Sequence, residues 1–113
     1  MKFMLLLRGN PAVFASLTAT QQSEVVAAHS AWAGQLGAAG KLEGGAGFPS
    51  SSVRAVPTPG GARIDKHSLL GDPQAPVGFY LIDVADITEA TQLAQACPAI
   101  GFGETVEILH LAH

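Results

Sequence analysis

Apolar and polar positions along this chain switch between two periods, and the switches cut it into alternating strands and helices. Phe3 to Leu7 is a continuous apolar run closed by Gly9, Asn10 and Pro11, the pattern of a central strand covered on both faces. Thr18 with Gln21 three residues later makes a capping-box pattern, and Thr20 is a second N-cap candidate, so a helix is predicted to begin near Thr20. Its apolar stripe reads Val25, His29, Trp32, Leu36 and Ala39, in steps of four, three, four and three, with Gly40 as the C-cap. Lys41 to Gly45 predicts a short second strand.

Gly44 to Pro59 is rich in Gly, Pro and Ser, yet Ser52–Val56 and Ala62–Asp65 carry β-branched residues around a Pro57–Gly61 turn. That pairing predicts an exposed β-hairpin, an insertion around residues 50–66. Lys66 to Pro76 reads as irregular. Val77 to Val84 alternates as a strand, and Asp86 followed by Glu89 repeats the capping box. Ile87, Ala90, Leu93, Ala94 and Cys97 then form a helical stripe ended by Pro98. Thr105 to Ala112 alternates again, with Val106, Ile108 and His110 on one face and Glu107, Leu109 and Leu111 on the other. The two strand–helix–strand halves echo each other, which predicts an α+β fold of ferredoxin-like βαββαβ type, one domain over residues 1–113. Two helices can cover one face of four strands. The apolar residues point to both faces, so a second copy of the sheet is expected on the other, making a homodimer.

Composition narrows the partners. The chain has 113 residues, 48% hydrophobic and 13% charged, enough for one core and apolar enough to leave surface for a partner subunit. A net charge of -3, with six scattered Lys and Arg, provides no basic stripe for nucleic acid. The five-residue apolar run at Phe3–Leu7 falls far short of the ~20 residues of a membrane span, so no membrane is expected. A single cysteine, Cys97, agrees with a reducing compartment, and a cytoplasmic location is the expectation.

His29 is the residue whose position asks for chemistry, because a titratable imidazole shares its helical face with core residues. It is the candidate acid–base group, and a hydrogen-bonded structural histidine is the alternative. Glu107, on a strand face with Leu109 and Leu111, is a candidate buried carboxylate to orient an imidazole. Asp72, in the Gly71–Pro73 loop, is a third catalytic candidate and equally a turn former. Asp83 reads as a strand-end residue facing water. Cys97 has no cationic neighbour in sequence and reads as a small core hydrophobe. His110 and His113 fall on opposite faces of a strand, so no metal or other cofactor is expected. The glycines open no helix after a strand, and Ser50–Ser52 lack a nucleophile elbow.

Several segments together resemble a known family: MKFMLLLRG, the helix with His29 and Trp32, GKLEGGAGFPSSSVRAV, GFYLIDVADITEATQLAQACP and GETVEIL. The chain resembles the YCII-related proteins, especially the DGPF-domain branch, over nearly its whole length. The resemblance implies a dimeric α/β barrel with clefts between packed sheets, and it matches His29 to the family's first-helix histidine, proposed there to act with an acidic residue. Where relatives carry Asp-Gly-Pro-Phe this chain has Lys66, His67, Ser68 and Leu69, and where they end in Glu-Val-Arg-Pro it has Glu107, Ile108, Leu109 and His110. Two functions follow as expectations. One is a cofactor-independent small-molecule lyase or isomerase using His29, as in dehydrochlorinase-like YCII proteins; the other is a non-catalytic metabolite-binding or protein-interaction module with a structural His29. An open pocket with an acidic neighbour at His29 favours the first, and a closed apolar cavity the second.

Overall fold

The computed structural model describes residues 1–49, 54–65 and 68–112. Its main sheet has four antiparallel strands in the order β2-β5-β1-β6: β1 is Lys2–Gly9, β2 Leu42–Gly47, β5 Ala75–Asp83 and β6 Thr105–His110. A separate two-stranded sheet pairs β3, Arg54–Thr58, with β4, Gly61–Asp65. The predicted hairpin is there, and its turn is Pro59–Gly60. The start of the hairpin as read from the sequence, Ser52 and Val53, lies outside the described residues, as do Lys66, His67 and His113.

The long helix α2 spans Ala19–Ala38 and is capped as its sequence predicts. Gln21 N–H donates to Thr18 Oγ1 at 3.2 Å, and Thr18 N–H donates to Gln21 Oε1 at 3.0 Å. At the other end Gly40 takes φ +72, and the N–H groups of Gly40 and Lys41 reach back to the Gly37 and Leu36 carbonyls. Those two bonds close the last turn, and only the left-handed residue between them allows both. The helix starting at Asp86 is α3, Ile87–Ala96; Glu89 N–H donates to Asp86 Oδ1, but the Glu89 carboxylate accepts from Ala85 N–H rather than from the cap itself.

Two short helices were not expected. Asn10 and Pro11, read as the end of a strand, start α1, Pro11–Ala15, where Ala12 N–H donates to the Asn10 side chain at 3.1 Å. Pro98, read as a stop, occupies the first turn of α4, Pro98–Gly101. In both places proline ends one element and begins the next, because its fixed φ and missing N–H suit a first helical turn. A 3-10 turn at Ser68–Gly71 precedes β5, which begins at Ala75 rather than Val77.

Register decides which residues meet the helices. Phe3, Leu5 and Leu7 of β1 stand beside Ile82, Tyr80 and Gly78 of β5 and beside His110, Ile108 and Val106 of β6. This face, with Trp32 and Leu36 of α2 and Ala90, Ala94 and Cys97, makes the core. Phe3, Leu5 and Ile82 are almost wholly buried. Met4 and Leu6 lie on the other face with Leu81, Phe79, Leu109 and Glu107. The molecule is only 19 Å deep along its shortest axis, room for one sheet and one layer of helices. The chain alone therefore leaves Met4, Leu6, Phe79 and Leu81 half-exposed and Leu109 exposed.

Candidate functional site

A cavity of about 440 Å³ opens at the corner where α1, α2, the end of β2 and the start of β5 meet. Its wall is mostly apolar, with Phe14, Phe48, Phe79 and Phe102 among the lining residues. Three groups bring chemistry into it: His29 from α2, Tyr80 from β5 and Glu104 from the turn before β6.

His29 Nδ1 and the Tyr80 hydroxyl are 2.6 Å apart, and the rings lie nearly parallel at 5.9 Å between centroids. Trp32, one turn further along α2, meets the Tyr80 ring edge-on at 4.9 Å. On its other side the ring lies against Gly45, where an added Cβ would stand 3.0 Å from Tyr80 Cδ1. The phenol is thus clamped. Burial pushes its pKa up to about 12, so it stays protonated at neutral pH. Burial also holds His29 below the usual imidazole value, which keeps the ring neutral there. Two tautomers fit the bond: the phenol donates to Nδ1, or Nδ1–H donates to the phenol oxygen and leaves the Nε2 lone pair free to take a proton.

Glu104 is aimed by its neighbours. Gly103 adopts φ +86, and Glu104 N–H donates to the Ala99 carbonyl at 3.0 Å, turning the chain out of α4 and into β6. The side chain fills the space a residue larger than glycine would need at position 9, since a Cβ there would meet Glu104 Cγ at 2.7 Å. Burial raises the carboxyl pKa.

The carboxylates named from sequence sit elsewhere. Glu107 is on the sheet face opposite the helices and pairs with Arg8, because β6 places it beside Leu6. It is exposed, so the expected buried carboxylate beside an imidazole is corrected to a surface ion pair. Its apolar strand neighbours face outward as well, which the alternation could not reveal. Asp72 caps a turn, accepting from Gln74 N–H at 2.9 Å, and does not line the cavity. Cys97 is buried among core residues and its thiol pKa is raised by burial. Among the described residues no three His, Cys, Asp or Glu side chains converge on a metal position, and no helix is long and apolar enough to cross a membrane.

The family model of the YCII-related domain matches residues 1–111. The chain belongs to the YCII-related family. No curated protein matches it significantly. Of the three titratable groups that line the cavity of this YCII-related chain, the sequence pointed to His29 and not to Tyr80 or Glu104. Tyr80 carried a signal, as the polar member of the Tyr80, Ile82, Val84 alternation. Glu104 carried none, since a Gly-Glu pair before a strand is ordinary turn chemistry.

The lowered His29 pKa has a consequence for this YCII-related domain that can be measured. The folded state holds fewer protons than the unfolded chain below pH ~6.5, so His29 makes stability fall as pH drops from there through its folded pKa. Glu104 acts oppositely. Its raised pKa gives stability at low pH that is lost as pH climbs through the folded value. Subtracting the pH dependence of His29→Gln from that of the wild type isolates the first effect. Urea titrations between pH 5 and pH 7 are expected to show wild-type stability rising more steeply with pH than that of the variant; equal slopes would contradict the neutral imidazole.

Proposed function

We propose that the cavity is a small-molecule enzyme site in which His29 moves a proton, in a cofactor-independent elimination or isomerisation. One observation carries this reading: an imidazole held neutral by burial and an ionisable carboxyl, Glu104, line the same open apolar cavity. With Nδ1–H donating to the Tyr80 oxygen, Nε2 accepts a proton from bound substrate and returns it to a neighbouring atom or releases it with the leaving group. Tyr80 fixes the ring and its tautomer. The competing reading, a binding module with a structural His29, draws on the same 2.6 Å bond, which satisfies one ring nitrogen whatever the other does.

The strand order and the one-sided helices support a ferredoxin-like βαββαβ domain with residues 50–66 as an inserted hairpin, and the segments that resemble the DGPF branch, such as GFYLIDVADITEATQLAQACP, are the ground for placing the chain near it. The open sheet face supports a homodimer of the dimeric α/β barrel kind, Met4, Leu6, Phe79, Leu81 and Leu109 meeting their counterparts in the second copy. Because Phe79 and Ala46 belong to that face and also line the cavity, the second copy would border the site. A cytoplasmic location fits the same reading.

The direct test is an NMR titration of the imidazoles against a panel of small uncharged, cationic and anionic metabolites. Ligand-dependent movement of the His29 signals is the expected result. Signals blind to every ligand, in a protein whose His29→Gln variant merely melts earlier, would leave the structural role.

A further inference from the structure

We propose that this cavity takes a small molecule with an apolar body and a protonated amine, the ammonium group seated against the Glu104 carboxylate. The inference rests on the cavity being a small-molecule site, and it names the class of molecule.

Glu104 is held at the cavity by the Gly103 turn and by the bare backbone of Gly9, so it is not a swinging surface side chain. Among the described residues it has no counter-charge. Arg8, the basic residue nearest in the sheet register, pairs with Glu107 on the opposite face, and Lys2 and Lys41 pair with Glu43 and Glu89. None of these cations lines the cavity, and among the described residues no lysine or arginine does. The cause of the raised Glu104 pKa is consistent with this, being desolvation with no opposing cation. A carboxylate facing an apolar space without a partner is costly, and a ligand that brings a positive charge removes the cost.

The remaining wall suits such a ligand. Phe14, Phe48, Phe79 and Phe102 offer apolar surface for its body and ring faces for its cationic head. His29 is kept neutral and Tyr80 protonated, so neither repels a cation and neither offers a charge to an anion. A carboxylate or phosphate ligand would enter a space whose ionisable carboxyl, Glu104, is of its own sign and in which no described lysine or arginine stands. An alcohol could donate one hydrogen bond to the Glu104 carboxylate but would leave its charge uncompensated.

Three probes with one phenylalkyl body separate these cases: 2-phenylethylamine, 2-phenylethanol and 3-phenylpropanoate, titrated into the wild-type protein at pH 7.5 with NMR and calorimetry as readouts. The amine is expected to bind at least on the order of tenfold more tightly than the alcohol, the scale of a charge-assisted over a neutral hydrogen bond, and the carboxylate more weakly than either. Amine affinity should fall as pH drops through the Glu104 titration. Glu104→Gln should remove the preference for the amine while leaving the alcohol unchanged; the wild-type pH profile makes the same test without a substitution. Carboxylate binding equal to the amine, an amine no tighter than the alcohol, a pH-independent amine affinity, or no amine binding at millimolar concentration would each overturn the proposal. His29→Gln keeps the two readings apart, since amine binding should persist in it within a few-fold whether or not the imidazole carries a reaction.

Discussion

His29→Gln is expected to lower turnover on the order of a hundredfold or more while leaving the protein folded, because a positioned acid–base group typically supplies 10²–10⁴. Glutamine is close in size and can still hydrogen-bond the Tyr80 hydroxyl, which now stands 2.6 Å from Nδ1. It cannot accept a proton at any working pH. The edge-on contact of Tyr80 with Trp32 and the close approach of Gly45 hold the phenol in place without the imidazole, so the wall should keep its shape. If His29 only fills a structural position, the variant should instead lose roughly 1–3 kcal/mol through an imperfectly satisfied polar group. Ligand binding would then decline only in proportion to unfolding. Steady-state turnover of a ligand that moves the His29 signals, measured beside urea unfolding of the same samples, separates the outcomes.

Met4→Glu is expected to split the proposed homodimer, raising its dissociation constant on the order of a hundredfold or more. Met4 lies on the open face between Leu81 on β5 and Leu109 on β6, with no cation beside it in either register. In a lone subunit the new carboxylate faces water and costs little. Between two packed sheets it is buried, and two-fold symmetry buries it twice. Sedimentation equilibrium across micromolar concentrations should show a wild-type dimer and a largely monomeric variant, the variant also melting earlier as the apolar face is uncovered. A wild-type protein that sediments as a folded monomer would remove the dimer from this account.

Much of the architecture was legible from local chemistry. The Thr18–Gln21 box, Gly40 and the Asp86 cap are short-range hydrogen-bonding patterns, so they marked helix ends to within a residue or two. The alternation of β5 and β6 foretold which residues share a face. The dual role of Asn10–Pro11 and of Pro98 was harder to see, since a proline that ends one element looks the same in sequence as one that starts the next.

The site divided differently. By itself the sequence determined that His29 turns inward with Trp32 and Leu36, because a helix of 3.6 residues per turn admits no other face for that stripe. It determined too that four strands and two long helices would leave apolar residues over. What stands opposite His29 was decided only by tertiary structure. Tyr80 lies 51 residues away along the chain and reaches the imidazole because β5 pairs between β1 and β2. Glu104 joins them because the turn after α4 brings it over Gly9, while Glu107, three residues on, is carried to the other side of the sheet. Strand alternation orders the faces within one strand but cannot say which face of the finished sheet receives the helices; that choice is made by long-range packing, and it decided which carboxylate meets the cavity.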